Sequence, residues 1–170
     1  MKKICLMLCF CNISWVFTSC GINIKEITME QFENFASIYK EEIKSIDESL
    51  FINESTLAAQ NGDYIKVYSI ETQDHICFAV RLTVFPQKKA RLLITFYDAS
   101  ENWSADNIAL YAKFISKLSK SELQFDKVHT ACSKLYQAEE YRFNKNASLV
   151  WDESRSFLDF SEKFTIDIDS

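Results

Sequence analysis

Glycine and proline are nearly missing from this chain: its 170 residues include two glycines, Gly21 and Gly62, and one proline, Pro86. Phosphate-cradling loops and dinucleotide fingerprints need several glycines, because only a backbone without Cβ lets a phosphate come so close. Neither pattern is present, and neither is a Gly-x-Ser-x-Gly nucleophile elbow. Histidine is as scarce: there are only His75 and His129, with no His-Glu-x-x-His and no Cys-x-x-Cys, so no zinc site is expected. Lys and Arg are outnumbered by Asp and Glu, 19 to 24. A nucleic-acid binder shows the opposite balance, so no such partner is expected. These absences imply no cofactor, no metal and no catalytic set.

Two arrangements stand nearest to chemistry. Cys132 follows His129 by three residues, on neighbouring positions of a helix, where a core cysteine beside a surface histidine is the plainer reading. The adjacent acids Glu139-Glu140 and Asp152-Glu153 have the residue types of a glycosidase pair, but adjacent acids in so acidic a chain are ordinarily solvated.

The first residues read as an address. Met1-Lys2-Lys3 is a short positive start, and Ile4 to Phe17 is apolar apart from Asn12 and Ser14. Fourteen helical residues reach about 21 Å against about 30 Å of hydrocarbon, too short to span, and no polar face marks a core helix. This is the pattern of an export signal. Ordinary signal peptidase needs a small residue at −3, but Phe17 holds that place before Cys20, and no alanine occurs before Ala36. Phe17-Thr18-Ser19-Cys20 resembles the lipobox of bacterial lipoproteins. That resemblance covers residues 1–21 and implies cleavage after Ser19, diacylation of Cys20 and anchoring to a membrane through that lipid. Gly21 after the cysteine implies the periplasmic face of the outer membrane. Residues 1–19 carry Lys2 and Lys3 and no acid, so losing them takes the net charge from −5 to −7.

Of six cysteines, Cys5, Cys9 and Cys11 would leave with the signal and Cys20 would take the lipid. Cys77 and Cys132 remain, an even number in an oxidising compartment, so a disulfide between them is one expectation and two buried thiols the other.

Residues 20–27 read as a lipidated tether and 28–170 as one domain of α+β class. Thr28 and Gln31 form a capping box, with Ile27 and Phe32 as a staple. Phe32, Phe35, Tyr39, Ile43, Ile46 and Leu50 then recur at helical spacing. A short helical turn is expected over Ser55 to Gln60. Strands follow over Tyr64 to Glu71, His75 to Phe85 and Ala90 to Tyr97, with Pro86 to Lys89 as a hairpin loop. Helices are expected from Ser104 to Lys120 and from Asp126 to Tyr141. The tail returns to strand over Ser148 to Trp151, Phe157 to Phe160 and Phe164 to Ile168. The sum is an antiparallel sheet of about five strands, packed by a long N-terminal helix and two later ones.

Two places suit binding. Trp103 ends a polar loop, where it serves either as an interface anchor or as a staple onto Ile108. The tail Phe164-Thr165-Ile166-Asp167-Ile168-Asp169 alternates, and reads as an edge strand with Asp167 and Asp169 outward. The function expected is a lipid-anchored periplasmic protein-binding module of immunity, inhibitor or envelope-assembly type, with a basic protein partner drawn to the acidic C-terminal part. The competing readings are an envelope hydrolase using paired carboxylates and a carrier of a small apolar ligand.

Overall fold

Thr28 opens the first helix as the capping box requires: its hydroxyl accepts from Gln31 N, and Gln31 Oε1 accepts from Thr28 N. In the computed structural model, which describes residues 27–58, 62–135 and 140–167, helix α1 runs Met29–Ile46. Phe32, Ala36, Tyr39 and Ile43 are buried along one stripe, while Phe35, Ile46 and Leu50 pack half-buried beside it. Leu50 lies beyond the helix, which ends at an extended Asp47.

The strands are β1 Phe51–Ala58, β2 Tyr64–Glu71, β3 Cys77–Phe85, β4 Lys89–Phe96, β5 Glu140–Arg142, β6 Ala147–Asp152 and β7 Phe157–Thr165. Helices α2 Ala105–Leu118 and α3 Phe125–Leu135 fall between β4 and β5. All seven strands join one antiparallel sheet in the order β1-β2-β3-β4-β7-β6-β5. Gly62 turns the chain into β2 at φ +84°, a conformation side chains with a Cβ rarely adopt.

The α+β class stands, but among the described residues the sheet has seven strands rather than about five. Residues 55–58 are strand, not a helical turn. Their local composition suits either state, and eight consecutive pairings with β2 decide it; residues 59–61 lie outside the described residues. Helix α3 is described over Phe125–Leu135, residues 136–139 lie outside the described residues, and Tyr141 belongs to β5 rather than to a helix. The tail pieces join into β7 Phe157–Thr165, which lies between β4 and β6 and is not an edge. The sheet edges are β1 and β5.

All three helices cover the same face of the sheet. α1 packs on β2, α2 on β4, and α3 on β5 and β6. Tyr68, Ile70, Phe78, Val80, Leu82, Leu92, Ile94, Phe96, Leu149 and Phe160 point into that layer and are buried. Tyr111 of α2 ties it to the backbone: its hydroxyl lies 2.7 Å from Ile94 O and 2.8 Å from Leu158 O, and accepts from Phe160 N at 2.9 Å. Under α1, Lys66 is buried among acids and reaches Glu33 at 2.9 Å and Glu54 at 3.3 Å; Lys40 meets Glu54 at 2.8 Å. The Lys66 hydrogen bond, then that of Thr56, holds the Glu33 carboxyl below the ordinary range; Lys40, then Lys66, does the same for Glu54.

Candidate functional site

Alternation along the strands sends every second side chain to the face that no described helix covers. Register then sets the neighbours. On this open face Leu57 stands beside Ile65, Val67 beside Arg81, Arg81 beside Leu93, and Arg91 beside both Thr83 and Lys163. Phe51 and Leu57, on the edge strand β1, are 60% and 57% exposed.

At one end of the strands, the β2–β3, β4–α2 and β6–β7 connections lie side by side. Ala99 N donates to Ser156 O at 2.8 Å, which docks the second on the third. Glu71, Asp74, Asp98, Glu101, Asp152 and Glu153 lie at this end of the strands, in or beside the three connections; Glu71 is bonded to His75 and Asp152 to Arg155, the one Lys or Arg those connections contain. Asp74, Asp98, Glu101 and Glu153 are exposed. Asp152 is held below the ordinary carboxylate range by its bond from Ser154, then by Arg155. Among the described residues no three acids, histidines or cysteines are placed to hold a metal ion. Tyr97 and Phe157, edge to face with ring centres 4.8 Å apart, stand on the same rim, and Phe51 opens β1 opposite Glu71.

At the other end of the open face the sign reverses. A cleft of about 400 Å³ is walled by Arg91, Arg142, Lys145 and Lys163, floored by Ser148 and Ser161, and contains one acid, Glu140.

The residues singled out in the sequence scatter over this frame. Cys20 and Asp169 lie outside the described residues. Asp167 is exposed just past β7, with Ile166 buried before it, and neither lies on an edge strand. The other acids of the C-terminal part do not form one patch: Asp159 accepts from Thr95 Oγ1 at 2.6 Å, and Glu162 points inward, buried, and accepts from Lys120 N and Ser121 Oγ. Trp103 is half-buried, edge to face with Trp151 at 5.8 Å, and packs against the core.

Cys77 and Cys132 are both free, so the expected disulfide is absent. Cys77 is exposed on the open face beside Glu71, whereas Cys132 is buried under α3 on the covered face, and the sheet separates them. Burial pushes the Cys132 thiol up to about 12, which leaves it no thiolate for nucleophilic work with His129. His129 instead stacks on Phe125. Of the acids proposed for a hydrolase, Glu139 lies outside the described residues, and Glu140 is held low by its bond from Arg142. The acid rim was missed because its members come from three separate connections, and only the strand register brings them together.

No family model matches the chain, and no curated protein or solved structure is significantly similar to it.

Proposed function

We propose that this chain is a lipid-anchored envelope protein whose domain binds another protein, of net positive charge, through the acidic rim and the adjoining apolar part of its open sheet face. Inhibition or neutralisation of that partner, or assistance in envelope assembly, is the role such a module serves. The observation that carries the reading is that register brings six carboxylates, against Arg155 and His75, to the end of the sheet that also holds Phe51, Tyr97 and Phe157. Charge of one sign speeds encounter with a partner of the other, and aromatic side chains then supply area that can be desolvated. Anchoring rests on Lys2-Lys3, the apolar run and the exit at Cys20. Two acyl chains meet the requirement for stable membrane attachment.

The reading is tested by crosslinking in the native envelope, with wild type compared to Asp74→Lys/Asp98→Lys/Glu101→Lys. The expected result is a basic protein crosslinked to wild type at low salt and lost from the variant. Equal crosslinking of both would overturn the assignment to the rim. For the anchor, Cys20→Ser should accumulate as uncleaved precursor. An intact mass showing an unmodified N-terminus on the exported wild type would remove the lipid from the account.

A further inference from the structure

The geometry points to a second binding site, independent of the protein partner: we infer that the cleft between β4, β7, β6 and β5 binds a phosphate group. The first observation is charge. Arg91, Arg142, Lys145 and Lys163 converge on one concavity in a chain whose net charge is −5. The single acid in the lining, Glu140, is already engaged by Arg142, at 2.9 Å from Nε and 3.2 Å from Nη2. Arg91 spends its Nε on Ser161 Oγ at 3.0 Å, a neutral acceptor.

The second observation is register. Arg91 and Lys163 are direct cross-strand partners on the open face. Like charges directly opposite one another in a sheet destabilise it. Neither edge protection nor packing explains the pair, since β4 and β7 are interior strands. An anion seated between the two cations converts a repulsion into two attractions.

The third observation is the type of donor available. Ser148 and Ser161 are directly paired on the same face, in the floor of the cleft, and Arg142 stands opposite Ser148. Asn146 lines it as well, while Asn144 holds the turn, donating to Ser121 Oγ and accepting from Asn146 N and Ala147 N. Several donors converging from different directions, cationic and neutral, match the tetrahedral oxygens of a phosphate better than the two coplanar oxygens of a carboxylate. The shared chemistry is a phosphate group, either free inorganic phosphate or the headgroup phosphate of a lipid.

The test uses the full-length chain in a neutral detergent. Its thermal midpoint and the ³¹P line width are followed as inorganic phosphate is titrated, with sodium chloride at matched ionic strength as the control. We expect millimolar phosphate to raise Tm by a few degrees beyond chloride and the ³¹P line to broaden. Arg91→Gln/Lys163→Gln should weaken binding about tenfold, which corresponds to about 1.4 kcal/mol. Arg142→Gln, at the exposed edge strand, is the second variant and guards against misfolding of the first. Glycerol 3-phosphate, titrated in parallel, separates the sources: tighter binding than inorganic phosphate assigns the site to a lipid headgroup, and equal or weaker binding assigns it to free phosphate. Chloride reproducing the Tm shift without ³¹P broadening, or folded variants binding as wild type does, would overturn the site.

Discussion

Followed along the strands, the open face changes sign. The end built from the β2–β3, β4–α2 and β6–β7 connections gathers Glu71, Asp74, Asp98, Glu101, Asp152 and Glu153. The opposite end gathers Arg91, Arg142, Lys145 and Lys163 around one cleft. Both ends share the same strands and the same covered core. A net charge of −5 describes neither of them. The difference teaches that charge balance predicts solubility and long-range attraction, while the site of any contact is decided by strand register. It also separates two roles. The acidic end is made of connections and the strand ends beside them, suited to a large partner. The basic end is concave and walled by strand residues, suited to a small group.

The comparison is broken most completely by damaging the frame both ends share. Tyr111→Phe removes the hydroxyl that serves Ile94 O, Leu158 O and Phe160 N inside the core. Buried backbone groups left unpaired cost about 2–3 kcal/mol. Urea unfolding should show that loss, and should show it with both surface charges unchanged. A loss below about 0.5 kcal/mol would mean that another group takes over these bonds.

A third charged region, the Lys66 cluster under α1, should behave differently from either end because its charges are internally compensated. Glu33 and Glu54 have folded carboxyl groups held below their ordinary value of 4.5 by Lys66 and Lys40. The unfolded chain therefore takes up more protons as pH falls below that value. The cluster's contribution is complete above it and is lost as pH drops through the lower folded values. Glu33→Gln/Glu54→Gln should cost about 1–2 kcal/mol at neutral pH, discounted for the partial exposure of both acids, and should flatten the acid limb of the stability curve. An acid limb as steep as that of wild type would place the linkage elsewhere.

This cluster also shows where local reading stops. The capping box of Thr28 and Gln31 and the alternation of Phe78, Val80, Leu82 and Val84 are legible because their cause lies within a few residues. The strand state of Glu54-Ser55-Thr56 depends on Lys66, ten or more residues away, and on a β2 that must first exist. The tail reads as an edge by its own pattern, since alternation with outward acids describes an edge and an interior strand equally well. Only the strand order separates the two, and that order places β7 between β4 and β6. The disulfide expectation fails for a similar reason: cysteine count permits a bond, but the opposite faces of Cys77 and Cys132 forbid it.

The apolar share of the acidic end can be separated from its charge. Phe51→Ser removes an exposed ring without adding an acid. Its cost to stability should stay within about 0.5 kcal/mol, as for surface positions generally. Dissociation of the partner should quicken about tenfold while association is unchanged, the signature of a short-range anchor. Surface plasmon resonance with the partner reads both rates, and a change confined to association would assign Phe51 to steering instead.

The smallest expected effect is the most discriminating for the basic end. Lys163→Glu places a carboxylate directly opposite Arg91 on an interior pair of strands. In the absence of phosphate, the substitution replaces a repulsion between neighbours by an attraction. At this separation in water each is worth about 0.5–1 kcal/mol before screening, and exposed pairs retain only part of that. The variant should therefore be more stable than wild type by a few tenths of a kcal/mol in dilute buffer. Raised salt should erase the gain, since the interaction is exposed and screened. Phosphate should stabilise wild type and leave the variant unmoved, so the order of the two proteins reverses as phosphate is added. A surface cation kept merely for solubility has no reason to produce that reversal. Equal stabilities in dilute buffer would show that the Arg91–Lys163 pairing costs nothing, and would leave the cleft without its strongest physical argument.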